Sequence, residues 1–325
     1  MKKYLSLLLV LCLLCTCLCR AETGVTLTDA AGREVTVSAV PQRIVSGYYI
    51  STSLLIALGL REKLVGIEAK ADTRPIYALA APELIGLTNV GTAKNFNLET
   101  CLSLEPDLVI LPRALSSAAE ELTAFGIPAI VVNPEDLNKL LETVDLLGKA
   151  TGTDERARHL VDALNGYLDK LSSLTAGAVP ERVYLAGNSS YLRTAGENMY
   201  QSTLISLAGG ENTAADIPGA SWQDISYEQL LTMDPAVIIA ASDAAYTVQD
   251  ILNDPELAAV DAVANGRVYA IPADVEAWDS PVPGTLLGSL YIAGILHPEA
   301  YAEDAFKADV NGFYLEFYGI TPYAE

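Results

Sequence analysis

Residues 97–110 read NLETCLSLEPDLVI, and residues 226–239 read SYEQLLTMDPAVII. The two stretches align without a gap, with Glu, Leu, Pro and Ile at four matched positions and like-for-like exchanges at several others. Each copy predicts a capping residue, a short helix, a proline stop and a buried strand. Because the same unit occurs in both halves of the chain, the sequence predicts two lobes of similar construction.

Around this repeat, short apolar runs alternate with helical patterns, an order typical of parallel α/β sheets. Strand-like runs occur at residues 44–46, 64–67, 108–111, 129–132, 182–186, 237–240 and 267–271. Between the two groups, an apolar stripe at helical spacing runs from Ala157 through Leu164 to Leu171, and Thr153 can cap it. A helix of about 20 residues would span about 30 Å here, enough to connect two domains.

The predicted fold class is therefore α/β, with two three-layer α/β lobes joined by a single long helix and a ligand cleft between the lobes. The predicted boundaries are 1–20 for a signal peptide, 25–150 for the N-terminal lobe, 153–175 for the connector helix and 180–325 for the C-terminal lobe. A chain of 325 residues is long enough for two domains of about 100–200 residues each.

The composition excludes some classes of partner. The chain has 41 acidic and 20 basic residues, a formal net charge of -21. Binders of nucleic acid or of anionic membrane surfaces need a surplus of Lys and Arg, so no nucleic-acid partner is expected. With 51% hydrophobic and 19% charged residues, the chain is typical of folded proteins.

The N-terminus is typical of an exported protein. Lys2 and Lys3 precede an apolar run over residues 5–14, which is about as long as a secretory signal and too short to span a bilayer. Residues 14–17 (LCTC) resemble a bacterial lipobox, in which Cys17 would carry the lipid. Cleavage after residues 19–21 (CRA) is the alternative, and it would give a soluble secreted or periplasmic protein. Either way, the sequence predicts an extracytoplasmic location.

Catalytic motifs are missing from the sequence. Four of the five cysteines lie in the N-terminal segment, and the two histidines, His159 and His297, lie on or beside predicted helices. GxSxG, HExxH, GxGxxG and P-loop motifs do not occur. The sequence therefore predicts no enzyme, no catalytic residue, no bound metal and no cofactor.

Several short stretches together resemble one known family. They are residues 28–35 (TDAAGREV), 41–45 (PQRIV), 97–99 (NLE), 105–110 (EPDLVI), 207–210 (LAGG) and 222–228 (WQDISYE). Their order and spacing resemble those of the solute-binding lipoproteins of ABC importers for iron complexes, haem and cobalamin. The resemblance covers nearly the whole chain after the signal segment. It implies two lobes joined by one long helix, with the ligand held between them.

The resemblance also implies a partner. In such proteins a glutamate from each lobe docks on arginines of the membrane permease, and the matching positions are Glu99 and Glu228. The helix dipole by itself also favours an acid at these first-turn positions. The expected partner is an ABC permease dimer with a cytoplasmic ATPase. The binding protein is expected to be a monomer that contacts the membrane only through its lipid anchor.

The ligand site is predicted from topology, because loops that follow parallel strands face the same edge of a sheet. The candidate ligand-binding residues are Tyr48, Tyr49, Arg113, Tyr191, Arg193, Trp222, Asp243, Trp278 and Asp279. Aromatic rings suit a macrocycle or an aryl chelate, and arginines suit carboxylate or hydroxamate oxygens. Val282 departs from the resemblance, since many relatives have an arginine there.

A ferric siderophore is the expected ligand, which makes the metal chelate a cargo and not a cofactor. A corrinoid, haem, or an oxyanion such as molybdate or tungstate is the alternative within the same family. A cell-surface haem-relay or adhesion protein is the alternative outside transport, and it would need no permease contact.

Overall fold

The computed structural model describes residues 24–219 and 221–323. Its helices are α1 (Tyr49–Ala57), α2 (Pro75–Ala80), α3 (Leu98–Ser103), α4 (Ser116–Ala124), α5 (Leu137–Thr151), α6 (Asp154–Leu174), α7 (Tyr200–Leu207), α8 (Tyr227–Met233), α9 (Val248–Leu252), α10 (Asp261–Ala264), α11 (Thr285–Leu296) and α12 (Glu303–Tyr318). Its strands are β1 (Val25–Thr28), β2 (Glu34–Val37), β3 (Ile44–Ser46), β4 (Leu64–Ile67), β5 (Thr88–Asn89), β6 (Gly91–Thr92), β7 (Asn95–Phe96), β8 (Leu108–Pro112), β9 (Ala129–Val132), β10 (Glu181–Ala186), β11 (Arg193–Thr194), β12 (Gly210–Asn212), β13 (Gln223–Asp224), β14 (Val237–Ala240) and β15 (Val268–Ala270). Within the two described ranges, no helix combines the length and the apolar character needed to cross a bilayer.

The N-terminal lobe (β1 to α5) is built on a five-stranded sheet in the order β5-β4-β3-β8-β9, in which all neighbouring strands are parallel. Parallel neighbours need long crossovers, and helices supply most of them here. The hairpin of β1 and β2 is tied to this sheet through Asp29. The Asp29 carboxylate accepts the Val131 N–H at 3.1 Å and pairs with Arg33 at 2.6 Å.

The C-terminal lobe (β10 to α12) contains a six-stranded sheet. Its path is β13-β11-β10-β14-β15, and β12 pairs with β10 beside that path. The pairs of β10 with β12 and β14, and of β14 with β15, are parallel, whereas β11 and β13 pair antiparallel. The two sheets and their helices confirm the α/β class predicted from the sequence.

The long helix α6 lies between the two lobes in sequence. It has 21 residues, and the buried ones include Ala157, Leu164 and Leu171, which belong to the predicted stripe. Thr153 is the N-cap residue of this helix, as predicted, but its side chain makes no capping hydrogen bond. The Thr153 hydroxyl instead lies 2.9 Å from the hydroxyl of Thr151.

The two copies of the repeat fold alike. Asn97 caps α3 by accepting a backbone N–H of the first turn at 2.9 Å, and Ser226 caps α8 in a reciprocal capping box. The chain leaves each helix through a residue with positive φ, 48° at Glu105 and 39° at Asp234. It then enters a buried strand, β8 or β14. The helix, the stop and the strand were all predicted from the repeat.

An arginine secures the end of each of these helices. Arg43 donates to the main-chain carbonyls of Leu104 at 2.6 Å and Glu105 at 3.0 Å. Arg182 donates to the carbonyl of Met233, which occupies the repeat position of Leu104. Each arginine stands at the beginning of the strand that pairs with the repeat's own strand. The structural equivalence of the lobes therefore extends beyond the stretch visible in the sequence.

The residues of each central strand alternate between two cores. In β8, Leu108 and Ile110 join a large core that contains residues of both lobes, whereas Val109 and Leu111 join a core of the N-terminal lobe alone. β10 alternates in the same way between the shared core and a core of the C-terminal lobe. Packing is therefore continuous from one lobe to the other.

Candidate functional site

Two tyrosines stand at the carboxyl end of a central strand of the N-terminal lobe. Tyr48 and Tyr49 follow β3, both are half-buried, and their rings pack edge to face with centroids 5.3 Å apart. Burial raises the pKa of both hydroxyls. For Tyr49, a hydrogen bond with Ser280 and the charge of Arg74 oppose that rise. Tyr49 thus meets a cation of its own lobe and a hydroxyl of the other.

A cavity of about 210 Å³ lies between the lobes beside Tyr49. The N-terminal lobe contributes Tyr49, Ser53 and Arg74, and the C-terminal lobe contributes Asp243 and Glu276. In the described part of the chain, no three His, Cys, Asp or Glu side chains converge closely enough to hold a metal ion. The polar residues that line this cavity come from both lobes, and they include one basic residue, Arg74, and two acidic residues, Asp243 and Glu276.

Arg74 is the cation of this cavity. Its guanidinium carbon lies 4.2 Å from the centroid of the Tyr49 ring, a stacking contact that holds the side chain. Pro75 begins α2 and favours extended backbone at Arg74. The Arg74 Nε–H is buried and has no hydrogen-bond partner among the described residues. A buried donor left unsatisfied costs about 1–3 kcal/mol, so an acceptor in the cavity would be stabilised here.

The opposite wall is built from the segments that follow β14 and β15. Asp243 follows β14 and accepts a long hydrogen bond from Asn188 at 3.4 Å. Gly187, the residue before Asn188, packs against the ring of Trp222. A Cβ at position 187 would lie 2.9 Å from a carbon of that ring, so the contact requires glycine. Trp222 is half-buried. Asp243 therefore lines the cavity at Tyr49, whereas Trp222 packs beside the neighbouring loop and is not part of the cavity lining.

Tyr191 and Arg193 are engaged within the C-terminal lobe and lie outside the cavity at Tyr49. The Tyr191 hydroxyl donates to Asp254 at 2.8 Å, and Tyr227 donates to the same carboxylate oxygen at 2.8 Å. The Arg193 Nε lies 3.6 Å from the carboxylate of Asp224. The two tyrosine hydroxyls have partners, whereas the Arg193 Nε–H, like that of Arg74, is buried without a hydrogen-bond partner among the described residues. Neither Tyr191 nor Arg193 lines the cavity at Tyr49.

Arg113 is also set apart from the cavity. It follows β8, is exposed, and lines a separate depression of about 220 Å³ in the N-terminal lobe with Asn133 and Lys139. Lys139 is paired with Asp136 at 2.6 Å. The basic group that the structure places beside Tyr49 is Arg74, which the sequence had not indicated.

The prediction that Trp278 lines the cleft is wrong. Its ring has no exposed surface, and its N–H donates to the Tyr314 hydroxyl at 2.8 Å. The prediction that Asp279 faces the ligand is also wrong, because Asp279 is only 4% exposed. Its carboxylate accepts hydrogen bonds from the Ser242 N–H at 3.1 Å and from the Ser242 hydroxyl at 2.5 Å. Burial raises the Asp279 pKa against these bonds. Ser242 lines the cavity, so Asp279 contributes to the cavity wall by holding Ser242 in position.

Glu99 and Glu228 stand in the first turns of the matched helices α3 and α8, and both are exposed. In the ranges that the structure describes, neither carboxylate has a hydrogen-bond or ion-pair partner. Both groups are therefore available to a partner protein. Cys17, the predicted lipid attachment site, lies outside the described residues.

Sequence reasoning missed two charged residues of the cavity, Arg74 and Glu276. Arg74 lies in the connection after β4, beyond a short 3-10 helix at Ala71–Thr73, so the rule that used the loops after parallel strands covers its segment but does not single it out. Glu276 lies in an irregular segment between β15 and α11, where no periodicity indicates which side chains turn inward.

Two α/β lobes with a polar cavity between them define a solute-binding protein. Residues 44–275 match the periplasmic binding protein family Peripla_BP_2, and the chain belongs to this family. It is a periplasmic solute-binding protein of an ABC transporter. Its relatives are binding proteins for transport and not enzymes.

Relatives of known ligand differ from one another. The chain is 27% identical to the molybdate-binding protein MolA of Haemophilus influenzae, over 97% of this chain and 96% of MolA. It is 29% identical to the vitamin B12-binding protein of Yersinia pestis, over 62% of this chain and 69% of that protein. A periplasmic solute-binding protein of Veillonella parvula superposes with a TM-score of 0.82 at 27% identity, covering 92% of this chain and 94% of that one. The family is thus shared among proteins that bind chemically unlike solutes.

Proposed function

We propose that the protein captures a metal-containing anion in the cavity at Tyr49 and Arg74 and delivers it to the permease of an ABC importer. The observation that carries this proposal is the buried Arg74 Nε–H, which lacks an acceptor among the described residues. Stacking on Tyr49 holds the guanidinium in place before any ligand arrives. A carboxylate, catecholate or oxyanion oxygen would accept this hydrogen bond, and a charge-assisted bond is stronger than a neutral one.

A ferric siderophore with anionic groups is the ligand that the sequence favours. The aromatic rings of Tyr48, Tyr49 and Trp222 would pack on its aryl or chelate faces. A siderophore is larger than the cavity, so the lobes would have to separate further to admit it, or the ligand would extend along the open cleft.

An oxyanion such as molybdate is the second candidate. The cavity volume of about 210 Å³ lies below the range of about 300–1,000 Å³ usual for pockets of drug-sized ligands, which favours a small solute. The similarity to MolA over almost the whole of both chains favours the same candidate. A corrinoid or haem would need the largest opening of the lobes.

Native mass spectrometry and visible absorbance of the protein purified from its own host would identify the bound solute class. Calorimetric titrations with a ferric catecholate, a ferric hydroxamate, haem, cobalamin and molybdate would then rank the candidates. For the best of these, Arg74→Gln should weaken binding by about tenfold or more, because an ionic hydrogen bond worth about 1.5–3 kcal/mol is lost.

Arg113→Gln is the matched control, since it removes the same charge from the same lobe outside the cavity. It should leave the affinity unchanged, and thermal melting of both variants would show that each is folded. Equal affinities of Arg74→Gln and the wild type would refute the assignment of the anion to Arg74. Binding of a neutral solute alone would refute the proposed ligand class.

A further inference from the structure

A single buried carboxylate joins the two lobes. Glu276 is 4% exposed and lies between β15 and α11. It accepts hydrogen bonds from the Ser53 hydroxyl of α1, from the Tyr314 hydroxyl of α12 at 2.9 Å, and from the Gly284 N–H at 3.3 Å. One side chain thus connects a helix of the N-terminal lobe with the last helix of the chain.

The junction continues one turn further along α12. The Tyr318 hydroxyl lies 2.9 Å from the Ser53 hydroxyl oxygen and donates to the Ser53 carbonyl at 3.3 Å. Trp278 donates to Tyr314 at 2.8 Å. These bonds form one polar cluster centred on Ser53 and Glu276. A second, separate link joins the same two helices, because Arg156 of α6 donates to the Ala57 carbonyl of α1 at 2.5 Å and to the Phe317 carbonyl of α12 at 2.9 Å.

No cation contacts the Glu276 carboxylate, whose partners among the described residues are two hydroxyls and one amide. The titratable groups that face it are the tyrosines Tyr314 and Tyr318 of α12. From α6, Arg156 acts on Tyr318 electrostatically. On the cavity side, Arg74 and Asp243 share the wall with Glu276.

A buried carboxylate without a cation is stabilised in its neutral form. Burial raises the pKa of Glu276 to about 7, and the hydrogen bonds from Ser53 and Tyr314 oppose that rise. If the junction loosens and admits water, the pKa returns toward its ordinary value. The protonated form therefore favours the assembled junction, and the ionised form favours the loosened one.

We propose that Glu276 is a proton-sensitive latch between the lobes. Protonated Glu276 donates its O–H to the Ser53 hydroxyl oxygen and accepts from Tyr314, which holds α1 against α12 and keeps the cavity wall closed. Ionised Glu276 loosens this contact, because a buried charge favours access of water. The consequence for ligand retention rests on the proposed function, because Ser53 and Glu276 both line the cavity. The latch itself does not depend on which ligand the cavity binds.

Hydrogen exchange of the full ligand-free chain tests the latch. Protection of α1 and α12 amides, corrected for the intrinsic pH dependence of exchange, should fall at least about fivefold in the wild type between pH about 5.5 and about 8.5. In Glu276→Gln the protection of α12 should lose this pH dependence, whereas α1 keeps the contribution of Glu68, which is bonded to Thr52 of α1. Equal pH dependence in the variant and the wild type would overturn the proposal, as would pH-independent protection in the wild type.

Glu68→Gln is the matched control. Glu68 is another buried carboxylate, but Thr52 and Tyr77, which donate to it at 2.6 and 2.7 Å, belong to its own lobe. Because Thr52 belongs to α1, this control is read on α12. Glu68→Gln should leave the pH dependence of α12 protection unchanged, and loss of that dependence would contradict the assignment to Glu276. Should Glu276→Gln fail to fold, infrared titration of the protonated carboxyl band in the Glu68→Gln, Asp279→Asn protein would report Glu276, because burial raises the pKa of all three carboxyls. The latch fails if that carboxyl is already ionised at pH about 5.5.

The exchange experiment uses no ligand, so its failure would leave the Arg74 proposal intact. Failure of the Arg74 titrations would likewise leave the latch intact.

Discussion

The chain has two tryptophans, and their surroundings are opposite. Trp278 is fully buried and donates to Tyr314, whereas Trp222 is half-buried beside Gly187. Trp278→Phe should lower the free energy of unfolding by about 1–3 kcal/mol, because it removes packed volume and a buried donor. Trp222→Phe should cost less than about 1 kcal/mol. Chemical denaturation followed by circular dichroism measures both values, and the reverse order would contradict these placements.

The titration of Glu276 predicts how stability depends on pH. Its pKa rises from 4.5 to about 7 on folding, so the folded state binds this proton more tightly than the unfolded state. The stabilisation is complete below pH 4.5 and is lost as the pH rises through about 7, at most about 3 kcal/mol. Glu276→Gln should therefore gain stability relative to the wild type between pH about 5 and about 8.

Denaturation of the wild type and Glu276→Gln at several pH values provides the measurement. The difference between the two curves isolates Glu276, since burial also raises the pKa of Glu68 and Asp279 in both proteins. A difference that stays constant across this pH range would show that Glu276 does not change its ionisation on folding.

At the residue scale, topology predicted some positions and failed for others. Tyr49 and Asp243 could be placed because each directly follows a strand whose end the apolar pattern locates. Trp278 and Glu276 lie in the irregular segment after β15. This segment has no helical or strand periodicity, so the sequence does not indicate which side chains face the core and which face the cavity. Only the packing of α12 against this segment distinguishes them.

At the scale of the element, the residues that end α3 and α8 allow a paired prediction. Glu105 and Asp234 both adopt positive φ, which glycine tolerates without strain. Glu105→Gly should raise the free energy of unfolding by up to about 1 kcal/mol. Asp234→Gly should not, because the Asp234 carboxylate accepts the Asp261 N–H at 2.9 Å and that bond would be lost. Thermal and chemical denaturation of the two variants would compare them, and equal gains would contradict the role of Asp234.

The helices and strands of the repeat were predictable because their causes are local. A cap such as Asn97, an apolar run and a proline all act within a few residues. The arginines Arg43 and Arg182 were not predictable in the same way. Each bonds to carbonyls more than fifty residues away, so their equivalence appears only once strand pairing has brought the segments together.

At the scale of the whole molecule, one apolar core links the lobes. It includes Leu54 of α1, Leu160 of α6, Val183 of β10 and Phe313 of α12. Full separation of the lobes would expose this core at a cost of about 25 cal/mol per Å², so large hinge motions are disfavoured. The sequence predicted the two lobes and the connector, because their periodicities are local. It could not predict a shared core that depends on α1 and α12, which are far apart in the chain.

The two acids of the repeat yield the prediction that belongs to the whole molecule. Two lobes of equivalent construction present Glu99 and Glu228 on matched helices, which suits a permease built from two related halves. Replacing both with alanine should abolish transport and weaken permease binding by at least about 100-fold, because truncating one partner of an ion pair that docking buries costs about 2–5 kcal/mol. Ligand affinity should stay unchanged, since neither carboxylate has a partner within the described ranges. The melting temperature should fall only slightly, because the helix dipole stabilises each first-turn acid by about 0.3–1 kcal/mol.

The matched control replaces Glu120 and Glu211, which are exposed acids of the two lobes outside the docking helices. This double variant changes the net charge by the same amount, so it separates specific docking from long-range attraction between an acidic protein and a basic surface. Uptake into cells and binding to the reconstituted permease should resemble the wild type in the control and fail in the Glu99→Ala, Glu228→Ala protein. If the two double variants lost transport equally, the overall charge would be responsible, and the quasi-equivalent acids would not be the docking points.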